Sequence, residues 1–362
     1  MSIDRQYFLR ALQLRNIRCI REIFLEIEPG INVFAGSNGS GKTTLLEAIH
    51  MLGTARSFRA KGAADLIKWG EEGLVSDGRF VGAGGVGRRV RVKKWKGKTA
   101  VSVDGRYLSR VSALAGLCPM VVLSPESERI ISGGPEFRRS LIDWALFHVE
   151  PQYQALHLEY RRVLKQRNAS LCAEQRSTIA AWSARLAHVG ERLALLRASH
   201  IAEMLFFWEA YLAQLLSIEV RIQFECGWPA RESLDTWLGK ETANDLRHGY
   251  TRFGPHRADL KLMVGASPAR HALSRGEGKR FVYALKLAQA AYVAKKVENN
   301  RPILLLDDLP SELDSDSLAI LMKAIIELNL QSFLTTVSAT TFEPWQDCAL
   351  KLFHVERGSL EE

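Results

Sequence analysis

Apolar and polar positions alternate in short stretches near the start of the chain. Leu12-Gln13-Leu14 and Ile23-Phe24-Leu25-Glu26-Ile27 carry part of the two-residue period of half-buried strands, and Pro29-Gly30 closes a turn after them. Ile31-Asn32-Val33-Phe34-Ala35 reads as a short apolar strand that runs into a glycine-rich loop. Over residues 43–52 the period becomes helical, with Leu46, Ile49 and Leu52 on the buried side. Residues 74–111 return to β character. Val90, Val92, Val101 and Val103 alternate with polar neighbours, and Asp104-Gly105 is a hairpin turn signal.

The pattern changes at residues 136–218. Only Pro151 and Gly190 interrupt a stretch rich in Ala, Leu, Arg and Glu, which predicts two or three long helices. No heptad is sustained there, which argues against a long coiled coil. Residues 226–255 read as loop-like. A helix follows over 273–297. Ile303-Leu304-Leu305-Leu306 is a continuous apolar run that suits a strand buried on both faces. A helix over 315–328 and a strand over 332–337 complete the pattern. Trp144, Trp182 and Trp208 sit in apolar helical settings and read as core.

The chemistry lies at the joints of these elements. Gly36-Ser37-Asn38-Gly39-Ser40-Gly41-Lys42-Thr43 matches G-x-x-x-x-G-K-[ST] at every position and is followed by Thr44. Glycines let backbone N–H groups wrap phosphates, Lys42 supplies a point charge, and the Thr43 hydroxyl can ligate Mg²⁺. The helix that follows turns its positive end toward the anion. ATP with Mg²⁺ is therefore the expected cofactor pair. A second Gly97-Lys98-Thr99 lacks the first glycine of the motif, because Val92 stands there. Asp307 and Asp308 end the apolar run at the carboxyl end of its strand, where ligands bind in open α/β sheets. Asp307 is placed to hold Mg²⁺ and Asp308 to polarise an attacking water.

Leu273-Ser274-Arg275-Gly276-Glu277-Gly278 precedes those acids and opens a long helix. It resembles the signature motif of ABC-type ATPases, in which the serine and glycine reach the nucleotide of a second subunit. It also reads as an ordinary capping box, Ser274 with Glu277. Ser311-Glu312-Leu313-Asp314 resembles the D-loop of the same class. The spacing between Lys42 and Ser274 is too short for the coiled coil of SMC proteins. Neither a clear glutamine loop nor the switch histidine of transporter ATPases is present; Thr335, Thr336 and Ser338 follow the last strand instead. The fold class expected is α/β, an ABC-type (P-loop) head with mixed sheets. Residues 1–124 with 250–362 would form the head, and 125–249 an inserted helical lobe.

Within that class the chain resembles the RecF family over nearly its whole length. Leu14-Arg15-Asn16-Ile17-Arg18, Pro29-Gly30-Ile31-Asn32-Val33, Leu45-Leu46-Glu47-Ala48-Ile49 and Arg56-Ser57-Phe58-Arg59 carry the likeness, as do Arg138-Arg139 with Leu141 and Asp143. Gly254-Pro255-His256-Arg257-Ala258-Asp259-Leu260 is a further landmark, with Ala258 where an acid is usual. The resemblance implies an ATP-dependent homodimer in recombinational gap repair and replication restart. It implies loading on duplex DNA or gapped junctions, RecR and RecO as partners, and hydrolysis slow enough to act as a switch. The competing reading is an SMC-like ATPase of another DNA-processing system, which would need a nuclease centre or an added domain. His256 and Arg257 read either as a contact to nucleotide or partner, or as a structural turn.

Charge changes the picture last. The 362 residues carry a formal net charge of +9, which favours an anionic partner. Arg88, Arg89, Arg91, Lys93, Lys94, Lys96 and Lys98 fall in one acid-free stretch around Trp95. They are candidate DNA contacts, or a solvated hairpin edge whose lysines deter strand pairing. Arg161, Arg162, Lys165 and Arg167 read as a wet helical face. The 5 widely spaced cysteines fit neither a disulfide framework nor a zinc site, and no signal or membrane-length apolar run is seen. A cytoplasmic protein is expected, with no membrane partner.

Overall fold

The computed structural model describes residues 7–60, 62–82, 85–297, 300–309 and 313–361. The chain divides into two compact units, Met1–Glu128 with Lys279–Glu362, and Arg129–Gly278.

The first unit holds two sheets. One is antiparallel and contains β1 (Phe8–Ile17), β2 (Ile20–Glu26), β4 (Gly73–Val81), β5 (Gly87–Trp95), β6 (Lys98–Val103) and β7 (Arg106–Tyr107), in the order β2-β1-β4-β5-β6-β7. Its register follows the sequence alternation. Leu14 pairs with Ser76, Ser76 with Val92 and Val92 with Val101, so one face is buried and apolar but for Ser76, whose hydroxyl donates to the Ala48 carbonyl at 2.9 Å.

The other sheet contains β3 (Ile31–Ala35), β8 (Met120–Leu123), β12 (Ile303–Leu306), β13 (Ser332–Thr336), β14 (Leu350–Glu356) and β15 (Ser359–Glu361), in the order β15-β14-β3-β13-β12-β8. All its pairings are parallel except that of β14 with β15. β3, β12 and β13 are buried at every position, as strands covered on both faces must be. Helix α1 (Lys42–Thr54) contacts both sheets and is buried on nearly every side. Its Leu45, Ile49 and Leu52 share one core with Leu12, Val92, Phe34 and Phe333. Its buried polar residues, Lys42, Thr44 and Glu47, lie toward the start of the helix.

The second unit contains α4 (Pro135–Val149), α5 (Tyr153–Cys172), α6 (Arg176–Leu215) and α7 (Leu234–His248). It also holds a sheet of β9 (Arg221–Glu225), β10 (Asp259–Val264) and β11 (Ser267–Pro268). Short turns α2 (Ser112–Ala115), α3 (Arg129–Ser132) and α8 (Ala269–Ala272) complete the helices before α9 (Arg275–Lys296) and α10 (Ser315–Leu328). Gly190 does not break α6. A Cβ there would come within 2.8 Å of Leu234 Cδ2, so the glycine admits a neighbouring side chain. Residues 250–278, grouped with the head by the sequence reading, cluster in this second unit. The loop-like reading of 226–255 is corrected over its middle half, where α7 lies, capped by Ser233 Oγ on the Thr236 N–H at 3.1 Å.

Arg167 is a second correction. It lies on no wet face but is fully buried, bonded to Asp245 at 2.8 Å, Thr251 at 2.7 Å and Ser183 at 2.8 Å. Arg161, Arg162 and Lys165 are exposed. The family landmarks also resolve into structure. Arg138 binds Asp259 through two bonds of 2.6 and 3.0 Å, and Arg139 donates to the Ala258 carbonyl at 2.7 Å. Arg197 joins Asp143 to the Pro255 carbonyl. His256 shares a 2.7 Å bond with the Tyr160 hydroxyl and one of 3.0 Å with the Thr251 carbonyl, and burial lowers its pKa to about 4. The structural-turn reading of His256 therefore accounts for both its ring nitrogens. Trp208 is core, whereas Trp144 and Trp182 are half-buried.

Candidate functional site

Parallel strands deliver the site. β3 runs directly into the glycine loop, whose far end starts α1. At Gly36 a Cβ would lie 2.2 Å from the Val355 carbonyl, so no larger residue fits between β3 and β14. Gly39 and Gly41 have φ of 83° and 116°, a region open to glycine and costly for other residues. Ser37, Asn38 and Gly39 are exposed at the loop tip, while Ser40, Gly41, Lys42 and Thr44 are buried at its base. Lys42 Nζ donates to the carbonyls of Gly36 at 2.6 Å and Ser37 at 2.9 Å. Burial lowers its pKa, and the charges of Asp308 and Asp307 oppose that shift.

β12 brings the acids to the same end of the sheet. Asp307 Oδ1 accepts from the Thr43 hydroxyl at 2.8 Å and from the Thr335 hydroxyl at 3.0 Å. Burial raises its pKa, and these two bonds hold it down. Asp308 sits at φ 56°, in the left-handed region, and its N–H donates to Thr335 Oγ1 at 2.7 Å. Asp and Asn are among the few non-glycine residues that adopt this region readily.

These groups line one cavity of about 560 Å³, which includes Asn38, Gly39, Gly41, Lys42, Thr43, Thr44, Asp307 and Asp308. That volume suits a small-molecule ligand, and the lining suits phosphates. The donor set also fits Mg²⁺. Thr43 and Asp307 offer one hydroxyl and one carboxylate already in contact, and among the described residues no cluster of three or more His, Cys, Asp or Glu could hold a metal alone. Mg²⁺ is commonly held by one or two carboxylates together with phosphate oxygens.

The sequence reading missed seven residues of this lining, Cys19, Pro125 and the acid Glu126 among them. Thr335, noted only as a residue that is not histidine, ties the two acids together. Arg18 and Arg59 add cations to the wall, and Ser124 enters it from the end of β8. Behind them, the buried Glu47 of α1 accepts from Arg18 at 2.9 Å and from the Ser57 hydroxyl. Ser57 Oγ in turn accepts from the N–H groups of Arg59 at 2.9 Å and Ala60 at 2.8 Å. One carboxylate thus orders the segments that carry both arginines. Burial raises the pKa of Glu47, opposed by the Ser57 bond and the Arg18 charge.

Thr335→Val keeps the shape of Thr335 and removes its hydroxyl. The Asp308 N–H then loses its acceptor, a cost of about 1–3 kcal/mol. ATP affinity in Mg²⁺ is expected to fall about tenfold, with a much smaller loss in EDTA. Calorimetric titration in both buffers reads the difference.

Other expected site residues belong to other segments of the chain. Ser274, Gly276 and Glu277 belong to the second unit. There Ser274 forms the capping box, its hydroxyl and N–H both donating to Glu277 Oε2 at 2.7 and 2.8 Å, and the Glu277 N–H reaches Ser274 Oγ at 3.3 Å. In the D-loop segment, Ser311 and Glu312 lie outside the described residues, and Asp314 caps α10 on the Ser317 N–H at 2.8 Å.

The basic stretch on β5 is not one patch. Strand alternation turns Arg89, Arg91 and Lys93 to the open face of the antiparallel sheet and Lys94 inward, where it is 8% exposed. Lys94 is therefore corrected from surface contact to buried cation, its pKa lowered by burial and by Arg56. Asp77 engages Arg89 at 2.8 and 2.9 Å and Arg91 at 2.5 Å. Arg88, Lys96 and Lys98 are exposed, as is Arg79 opposite Arg89.

The fold and the site define a P-loop nucleotide-binding head of the SMC kind. An SMC head domain from Pyrococcus furiosus shares the fold, with TM-score 0.61 at 15% identity over 98% of this chain and 95% of that one. The match to the RecF/RecN/SMC N terminal domain family spans residues 8–361. The DNA replication and repair protein RecF of Shewanella baltica (strain OS223) is 35% identical over 97% of this chain and 98% of its own. RecF of Pseudomonas syringae pv. syringae (strain B728a) is 34% identical over 98% of each. A solved structure of the recombination mediator protein RecF with ATP, in the RecFOR pathway, superposes with TM-score 0.86 at 25% identity, covering 99% of this chain and 98% of that one. The chain belongs to the RecF family.

Proposed function

We propose that this chain is an ATP-binding DNA replication and repair protein that acts in the RecFOR pathway. The observation that carries the reading is the joining of Lys42, Thr43, Asp307, Asp308 and Thr335 at one cavity in a chain of this family. ATP binds there with its phosphates on the loop from Gly36 to Thr44. Thr43 and Asp307 hold Mg²⁺, which neutralises charge on the β and γ phosphates. Arg18 and Arg59 are placed to add charge at the same wall, and Asp308 orients water for a slow hydrolysis.

Residues 1–128 with 279–362 form the head and 129–278 the inserted lobe. ATP joins two copies of the chain, with Ser274 and Gly276 at the end of one copy's lobe on the nucleotide in the head of the other. That dimer closes on duplex or gapped DNA, and hydrolysis reopens it. RecR and RecO are the partners that the RecF relatives suggest. The chain's site of action on this reading is the cytoplasm. Among the described residues no helix is long and apolar enough to cross a membrane. The exposed cations of β4 and β5 meet DNA phosphates, so affinity falls steeply with salt.

Light scattering tests the dimer. Wild type is expected to double in mass with ATP and Mg²⁺. Ser274→Arg, which crowds the signature position, is expected to stay monomeric while binding ATP normally. A wild type that remains monomeric at saturating ATP would refute the clamp.

A further inference from the structure

Two tryptophans stand in the open on the antiparallel sheet and the segment before it. Trp69 is 98% exposed and Trp95 is 41% exposed, and both line one open groove of about 1110 Å³ together with Lys68, Lys96 and Lys98. Single exposed apolar residues are ordinary, but two indoles converging on one groove call for a ligand. Trp95 ends β5 on the face that carries Arg89, Arg91 and Lys93, so the cationic row leads directly to it. Gly73, its partner on β4, leaves the room: a Cβ there would come within 3.0 Å of the Trp95 ring.

We propose that Trp69 and Trp95 form a stacking platform for the unpaired bases of single-stranded DNA. The inference rests on the DNA-binding reading above and names the part of the DNA that this groove receives. Indoles beside lysines in an open groove are the composition that holds a single strand without regard to sequence. Every base has a face to stack, and the lysines follow the backbone. The charge around the groove is mixed, since Glu71 and Glu72 also line it and Glu71 accepts from Asn16 at 3.0 Å. A ligand held by phosphate contacts alone would be poorly served there, whereas stacking tolerates those acids. A base-paired duplex keeps its bases inside the stack and cannot offer them. At a gapped junction the duplex lies along the cationic row and the single strand continues onto the tryptophans.

The test titrates a dT oligonucleotide, a blunt duplex and a gapped duplex into full-length wild type, Trp69→Ala, Trp95→Ala and Trp69→Phe with ATP and Mg²⁺. Intrinsic fluorescence and anisotropy are read together. Stacking lost to alanine weakens single-strand binding by about 5- to 150-fold. Each alanine variant is expected to lose dT affinity on that scale while blunt-duplex affinity stays within about twofold. Trp69→Phe should keep most dT affinity, because phenylalanine still stacks, and lose part of the fluorescence quenching. Both side chains are exposed, so unchanged melting curves are expected for every variant.

Alanine variants that bind dT as wild type does would overturn the platform and assign the indoles to a protein contact. Parallel loss of duplex and dT binding would also overturn it. Wild type that binds blunt duplex but not dT removes the platform and spares the DNA-binding reading. Wild type that binds neither removes both.

Discussion

Asp308→Asn is expected to bind ATP within about threefold of wild type and to hydrolyse it in a single turnover about 10²–10⁴-fold more slowly, the range a positioned general base contributes. Asparagine is the right replacement for a geometric reason. Asp308 sits at φ 56°, and Asn tolerates that region where Ala or Leu would add strain. Its N–H bond to Thr335 is a backbone contact and survives the change. What disappears is the carboxylate charge on the cavity wall. Asp307 already spends one oxygen on Thr43 and Thr335, so it is poorly placed to take over the water. Rapid-quench measurement of γ-phosphate release reads the outcome. Hydrolysis at the wild-type rate would mean that Asp308 does not orient the water.

Arg167→Ala should destabilise the second unit by about 3–5 kcal/mol, the cost of breaking a buried ion pair by removing one partner. The guanidinium is wholly buried and joins Ser183 of α6, Asp245 of α7 and Thr251. Alanine leaves Asp245 charged and 0% exposed with no cation to balance it. In a unit of this size the loss lowers the melting temperature by roughly 10 °C. The double change Arg167→Met with Asp245→Leu removes both charges at similar volume and should recover most of the stability, because buried pairs commonly do no better than well-packed apolar groups. Calorimetric scans of the two variants decide it. A melting point within two degrees of wild type for Arg167→Ala would contradict a structural role.

The comparison of Arg167 with Lys42 shows what a sequence discloses. Lys42 lies in a pattern of glycines whose spacing is dictated by the phosphate it wraps, so the chemistry is written in neighbouring residues. Arg167 follows Arg161, Arg162 and Lys165 on the same helix. Its burial depends on Asp245, 78 positions away, and no local signal carries that pairing. The valines of β5 and β6 were legible because a face buried against α1 imposes a period of two. The same period, applied to the basic residues, would have sent Lys94 inward, but their charge hid the alternation. Strand β8 went unread because Met120–Leu123 is four residues long and takes its place only by pairing with β12. Thr335, Arg18 and Arg59 reach the cavity from three separate segments. Only the fold brings them to Asp307 and Lys42.

One measurement reaches the central claim: fluorescence anisotropy of a gapped duplex titrated with wild type and with Lys42→Ala, each with and without ATP and Mg²⁺. Lys42→Ala removes the charge proposed to meet the β and γ phosphates, an expected loss on the order of 2–3 kcal/mol or more of nucleotide binding. ATP is expected to tighten DNA binding by wild type at least about tenfold and to have no effect on the variant. Equal DNA affinity with and without ATP in wild type would contradict it.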